Sequence, residues 1–199
     1  MRSLRLKRAV DIAGATVGLI LAAPLLLAGA VAILLEDGWP VLFSQRRPGL
    51  HGEPFTILKL RTMVKGAVSQ GPGIAVNAGD RRILRCGDVL RKSAVDELPQ
   101  LVNVLRGEMA LVGPRPTVQE QVDRYTPHQM RRLDMKPGLT GWSQIQGRTS
   151  IPWSQRIELD IWYVDHWSLG LDLRIVLRTF AQLARPAETY KGTTGGWDL

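Results

Sequence analysis

Two adjacent carboxylates, Asp96 and Glu97, open an apolar run inside residues 91–116, RKSAVDELPQLVNVLRGEMALVGPRP. Leu98, Leu101, Val102 and Leu105 recur at helical spacing and predict a buried helix face. Asp96 then falls at or just before the first turn, where free backbone N–H groups favour negative charge. Arg91 and Lys92 stand just upstream and Arg106 at the far end. Gly113-Pro114-Arg115-Pro116 is too rich in proline to continue a helix, so it fixes one arginine on a stiff turn. Phosphoryl chemistry needs a nucleophile, positive charge for the phosphate oxygens, and a metal or its substitute. A carboxylate can attack phosphorus, and a second one beside it can hold Mg²⁺ or take a proton. Helix capping alone accounts for an Asp and a Glu at such a position, so the dyad gains meaning only from its surroundings.

The elements that must position it begin with the N-terminus. Residues 12–35 carry no charge and are long enough to cross the ~30 Å hydrocarbon layer. Arg2, Arg5, Lys7 and Arg8 precede this run, and Arg46, Arg47, Lys59, Arg61 and Lys65 follow it. A straight span carries one basic group across, against the positive-inside tendency. A helix that bends at Pro24 and returns keeps both groups on one side, with Glu36-Asp37-Gly38 at headgroup level. An ordinary kinked transmembrane helix is the alternative. The 199-residue chain is one domain's worth, and its net charge of +8 calls for an anionic partner. No helix-turn-helix or finger spacing points to nucleic acid. The single cysteine, Cys86, excludes an intrachain disulfide and a cysteine-type zinc site, and reads as a small core residue.

Residues 39–63 predict short strands forming a hairpin, with Lys59 and Arg61 directed at phosphate. A solvated edge-strand face explains Lys59 equally well. Residues 64–79 are a Gly-rich loop without the Gly-Lys-Ser/Thr end of a P-loop. A helix reopens at residues 80–85, with Gly87-Asp88 as its break. Another is expected over residues 117–133, capped by Thr117 and Glu120 and interrupted by Pro127. Arg131 and Arg132 at its end fit surface charge or substrate binding alike. Residues 136–142 (KPGLTGW) and Gly147-Arg148-Thr149 are turns whose glycines allow close backbone approach. A helix over residues 152–166 turns Ile157, Ile161 and Val164 inward. Trp153, Trp162, Tyr163 and Trp167 cluster there, and His166 reads as a satisfied interfacial side chain. A last amphipathic helix over residues 171–183, with Leu173, Val176, Leu177 and Phe180 on one face, lies in the membrane plane or completes the core. The Gly- and Thr-rich tail beyond Arg185 reads as disordered.

Four segments together resemble a known family. They are the basic, apolar N-terminus with Pro24; Phe55-Thr56-Ile57-Leu58-Lys59-Leu60-Arg61-Thr62-Met63; Asp96-Glu97-Leu98-Pro99-Gln100-Leu101 through Pro114-Arg115-Pro116; and Lys136-Pro137-Gly138-Leu139-Thr140-Gly141-Trp142. In this order they resemble the bacterial sugar transferases, small monotopic phosphoglycosyl transferases, over roughly residues 1 to 180. The resemblance implies a re-entrant membrane helix, a UDP-sugar donor and a polyprenyl (undecaprenyl) phosphate acceptor. It also implies Mg²⁺, release of UMP, and the cytoplasmic face of the bacterial inner membrane. Asp96 matches the catalytic aspartate and Glu97 its partner, both toward the metal. Pro114, Arg115 and Pro116 match the nucleotide- and phosphate-recognition turn, and Arg91 and Arg148 match basic positions expected on phosphate. Ala23 stands where relatives often carry Ser, which weakens one hydrogen-bond account of the kink.

The expected fold is α+β: a mostly helical small domain with a short β-hairpin, a Pro-kinked re-entrant membrane helix and interfacial amphipathic helices. Residues 1–38 are the basic N-terminus and membrane helix, 39–184 the catalytic domain and 185–199 a flexible tail, the minimal form of the family. Membrane lipids are expected partners, a homodimer is compatible with the sequence, and nucleic acid is not expected. Two other functions share part of the pattern: a membrane-tethered basic binding protein, and another phospholipid-linked phosphotransferase. The sugar is not written in any residue.

Overall fold

The computed structural model describes residues 2–67, 80–147 and 151–183. Most of the Gly-rich loop, the turn holding Arg148 and the C-terminal tail therefore lie outside the described residues. Helix α1 (Arg2–Asp37) is continuous through Pro24, and only 17% of its most apolar stretch is buried, so it is not the core helix of a soluble protein. Both its ends are fastened to the same body. Near the start, Lys7 Nζ donates to Val112 O (3.0 Å) and pairs with Asp172 (2.7 Å). Arg8 donates to Val104 O and Leu105 O, the last carbonyls of a helix described below, and Asp11 accepts from Leu111 N (3.0 Å). At the other end, Glu36 accepts from the backbone of Arg85 and Cys86, and Asp37 pairs with Arg61. A rod crossing the bilayer would carry one set of these contacts to the far side. Contacts of both ends with one domain are consistent with a monotopic, re-entrant helix, the arrangement that keeps both basic flanks on one side.

Strands β1 (Leu42–Pro48) and β2 (Pro54–Leu60) form the expected antiparallel hairpin, with Leu42 opposite Leu60 and Arg47 opposite Phe55. Helix α2 (Arg85–Lys92) and helix α3 (Gln100–Arg106) pack between the hairpin and α1. One apolar cluster joins Ala15, Phe55, Ile57, Leu101 and Val104, and a second joins Ile33, Val41, Leu60, Leu84 and Leu90. Each half of α1 thus has its own seat. Ile33 is fully buried, worth about 1.5–3 kcal/mol of transfer free energy.

Strand β3 (Ala110–Val112) pairs in parallel with β4 (Gly138–Thr140), a pairing that segments of three residues are too short to announce by periodicity. Helices α4 (Gln119–Val122), α5 (Pro127–Met130), α6 (Trp142–Gly147), α7 (Trp153–Asp165) and α8 (Leu169–Leu183) complete the chain. The third cluster, Val112, Ile145, Tyr163 and Ile175, lies between β3, α6, α7 and α8. On α8, Leu173, Leu177, Phe180 and Leu183 remain exposed while Ile175 is buried, so this helix both completes the core and shows an apolar face.

Three local expectations are corrected. The helix over residues 117–133 is broken into α4, α5 and a 3-10 turn at Arg131–Leu133. Its capping box is Thr126 with Gln129, next to Pro127, whereas Thr117 bonds the Gln121 side chain. Gly87 is not a break: it lies inside α2, where a Cβ would collide with the Thr62 carbonyl.

Candidate active site

Asp96 and Glu97 sit in a 3-10 turn, Val95–Glu97, just before α3. Ala94, immediately ahead, has the left-handed backbone φ of 57°. An alanine there is strained, and surrounding structure must hold it. Asn103, fully buried on α3, helps supply that support. Its Oδ1 accepts from Leu58 N (3.1 Å) and its Nδ2 donates to Thr56 O (2.7 Å), either side of the β2 residue Ile57. The turn carrying the carboxylates is thereby registered against the strand carrying Lys59.

The two carboxylates meet opposite environments. Glu97 Oε1 receives Lys59 Nζ at 2.7 Å and Arg115 Nη2 at 2.8 Å. Burial opposes its ionisation, but Arg115 and Lys59 outweigh that and hold it well below the usual carboxylate range. Asp96 is 8% exposed and accepts no hydrogen bond among the described residues. Burial first, and the Glu97 charge second, push it up to about 6, against the pull of Lys59, Arg91 and Arg115. Arg91 is held by Thr62 Oγ1 (2.8 Å) and lines the same cleft.

The Pro-Arg-Pro turn is braced from behind. Gly113 N donates to Thr140 O (2.9 Å) and Gly138 N to Pro114 O (2.9 Å). A Cβ on Gly138 would run into the Gly113 backbone, so the glycines serve segment-to-segment approach. Pro116 closes the turn before Thr117, and Arg115 reaches forward to Glu97. Arg132 Nη2 donates to Arg115 O (2.6 Å). Arg132 is 1% exposed, and it also bonds Asp160 (2.8 Å) and Tyr125 Oη (2.9 Å). Its exposed neighbour Arg131 pairs with Asp165. Arg131 thus takes the surface-charge reading, while the Arg132 guanidinium is engaged in this buried network.

Arg61 sits differently from the expectation of a phosphate contact. It is 6% exposed, and its guanidinium is engaged by Asp37, Pro40 O, Gly38 O and Met63 O. It ties the end of α1 to the hairpin. Arg148 lies outside the described residues. Residues not singled out in the sequence include Arg47 and Arg156, both on the cleft wall that Arg132 also lines. For Arg47 a signal existed: strand alternation puts it on the face of Phe43 and Gln45, opposite Arg46.

The cleft measures ≈ 1530 Å³. Its polar part holds Lys59, Arg91, Asp96, Glu97 and Arg115, and apolar walls come from Leu21 of α1, Leu98 and Leu101 beside the dyad, Leu139, and Phe180 and Leu183 of α8. Among the described residues no three His, Cys, Asp or Glu gather as a metal cage. Mg²⁺ does not require one, since it is commonly held by one or two carboxylates with water and substrate phosphate. Asp96, without a hydrogen-bond partner among the described residues, suits that mode, and Glu97 suits it through Oε2.

Acidic and basic groups gathered in one cleft, beside a helix long and apolar enough for a bilayer, suit phosphorylated substrates met at a membrane surface. The chain belongs to the bacterial sugar transferase family, whose model matches residues 2–186. It is 47% identical over 193 residues to the UDP-glucose:undecaprenyl-phosphate glucose-1-phosphate transferase of Caulobacter vibrioides, covering 92% of this chain and 72% of that protein. Identity to the uncharacterized sugar transferase EpsL of Bacillus subtilis is 45% over 174 residues, 87% of this chain and 85% of that one. The undecaprenyl-phosphate galactose phosphotransferase of Salmonella typhimurium is 35% identical over 199 residues, 93% of this chain and 42% of its own length.

Proposed function

We propose that the chain transfers a sugar 1-phosphate from a UDP-sugar to polyprenyl (undecaprenyl) phosphate, releasing UMP, as the first membrane step of glycoconjugate or exopolysaccharide assembly at the cytoplasmic face. The observation that carries this is the Asp96 carboxylate, without a hydrogen-bond partner among the described residues, facing a cleft that has cationic walls for phosphates and apolar walls for a lipid tail. The named activities of the Caulobacter and Salmonella relatives support the substrate pair, and their different sugars leave the sugar open.

An Asp96 oxygen attacks the sugar-bearing phosphorus. The bond to the UMP oxygen breaks, and UMP leaves with the electron pair. The product is a sugar-phosphoryl-aspartate. An oxygen of the lipid phosphate then attacks the same phosphorus, the bond to Asp96 breaks, and the carboxylate returns. Lys59, Arg91 and Arg115 orient the phosphates and offset their charge. Arg115 on its rigid turn serves nucleotide recognition, with Pro114 and Pro116 fixing its direction. Asp96 and Glu97 would hold Mg²⁺, which would supply positive charge at the phosphates. Glu97 also anchors Lys59 and Arg115 until substrate arrives.

The test is UMP release from a set of UDP-sugars, with and without polyprenyl phosphate, with Asp96→Asn as control and capture of protein-bound sugar phosphate in parallel. Turnover and covalent labelling retained in Asp96→Asn would overturn the nucleophile. Absence of UMP release with every UDP-sugar would favour a tethered binding protein, and transfer only from other activated lipids a phospholipid phosphotransferase.

A further inference from the structure

Three arginines on the cleft wall, Arg47, Arg91 and Arg156, have no carboxylate at ion-pair distance among the described residues. Arg91 stands on the Asp96 side. The other two gather around Arg115 from different elements, Arg47 at the end of β1 and Arg156 on α7. Arg47 Nη2 donates to Gln45 Oε1 (2.7 Å), while its Nε is buried with no partner among the described residues. Arg156 Nε donates to Ile151 O (3.0 Å), and its guanidinium lies 5.7 Å from the centre of the Trp153 ring. Burial lowers the proton affinity of both, and the neighbouring Arg115 charge lowers it further, to about 10 for Arg47, with Glu120 acting against this at Arg47 and Asp160 at Arg156. Positive charge gathered on a cleft wall attracts an anionic ligand.

We propose that Arg47 and Arg156, with Arg115 between them, form the subsite for the phosphate of the nucleoside-monophosphate half of the donor, the half that departs. The assignment rests on the transferase reading above and makes it specific. In an in-line displacement the leaving oxygen lies opposite the attacking one, so the departing phosphate is turned away from Asp96. Charge moves the same way. Asp96 loses its negative charge as its oxygen bonds phosphorus, and the UMP phosphate gains one as the bridging bond breaks. Cations at the departing phosphate therefore bind the transition state more strongly than the ground state, which is what accelerates a reaction. Trp153 extends the subsite. Its ring lies 5.0 Å from Arg132, which itself holds Arg115 O, and its Nε1–H is buried in the cleft wall without a partner among the described residues. A nucleoside oxygen beyond the phosphate is a suitable acceptor for it.

The experiment is equilibrium binding of UMP, of uridine, and of short-chain polyprenyl phosphate in detergent micelles to the purified full chain. Wild type, Arg47→Gln, Arg156→Gln, Arg47→Lys and, as a control away from the cleft, Arg174→Gln on the exposed side of α8 are compared, each checked for folding by circular dichroism. Expected are a tenfold or greater loss of UMP affinity in Arg47→Gln and in Arg156→Gln, partial recovery in Arg47→Lys, and less than threefold change in Arg174→Gln. Uridine affinity stays within twofold of wild type throughout. Should Arg47→Gln not fold, Arg156→Gln carries the same test. Wild type that does not bind UMP overturns the proposal, as does UMP affinity within twofold of wild type in the folded Gln variants. Loss confined to polyprenyl phosphate also overturns it, by assigning the arginines to the acceptor. Failure of the broader function shows separately, as wild type that transfers no sugar phosphate whatever its affinity for UMP.

Discussion

Arg115 Nη2 stands 2.8 Å from Glu97 Oε1, on the same oxygen that Lys59 reaches at 2.7 Å. Two cations on one oxygen leave the adjacent Asp96 as the open carboxylate of the pair. The two substitutions should therefore differ in kind. Asp96→Asn replaces the oxygen proposed as the nucleophile and should slow turnover on the order of 10³-fold or more, abolishing covalent labelling. Glu97→Gln loosens Lys59 and Arg115 and should raise the donor KM while covalent labelling persists. Steady-state UMP release and labelling of both variants decide this.

Asp96 also predicts a pH dependence. Its carboxyl is raised from 3.8 to about 6, so the folded chain binds this proton more tightly than the unfolded chain. The stability contributed by that proton is fully present below about pH 4 and is lost as pH rises through about 6. At pH 7 the ionised group costs on the order of 2–3 kcal/mol. Asp96→Asn should accordingly melt higher than wild type above pH 6, with the difference vanishing below pH 4. In wild type, kcat/KM for the donor should rise with pH through about 6, as the attacking form appears.

Arg132 and Asp160 are each 1% exposed and bonded at 2.8 Å. Removing one partner leaves a buried charge, so Arg132→Met should lower stability by about 3–5 kcal/mol. Arg132→Met with Asp160→Leu should recover part of it. Activity should not recover with stability, because Arg115 O loses its donor in both. Denaturant melts and UMP release on the same samples separate the two effects.

Fastening of both ends of α1 to one domain predicts same-side labelling. In a Cys86→Ser background, Ser3→Cys and Ser44→Cys should both react with a membrane-impermeant maleimide from the same face of sealed vesicles. Labelling from opposite faces would contradict the contacts of Lys7 with Val112 and of Asp37 with Arg61.

Leu173, Leu177 and Phe180 expose the apolar side of α8. Leu177→Glu should reduce retention on vesicles at high salt while leaving the melting temperature within about 0.5 kcal/mol-equivalent of wild type, as for a surface change. Flotation assays read the first and thermal melts the second.

Much of this was legible before any coordinates. Charge on both flanks of residues 12–35 anticipated that both ends of α1 meet one domain, alternation marked the hairpin, and proline announced the start of α7 at Trp153 and the rigid turn at Arg115. What escaped depends on partners far along the chain. Gly87 resembles a helix breaker until the Thr62 carbonyl is seen against it. Arg61 resembles a phosphate ligand until its donors are found on Asp37 and nearby carbonyls. Arg131 and Arg132 are indistinguishable as letters, and only the tertiary position of Asp160 buries one of them.

The seats of α1 also order the life of the chain. Lys7, Arg8 and Asp11 find their partners 96 to 165 positions further along the chain, at Val104, Leu105, Leu111, Val112 and Asp172. The apolar helix cannot be seated on the domain before those partners exist. Docking of its first turns is thus a late, closing step of folding, and truncation before Asp172 should leave Lys7 without that partner.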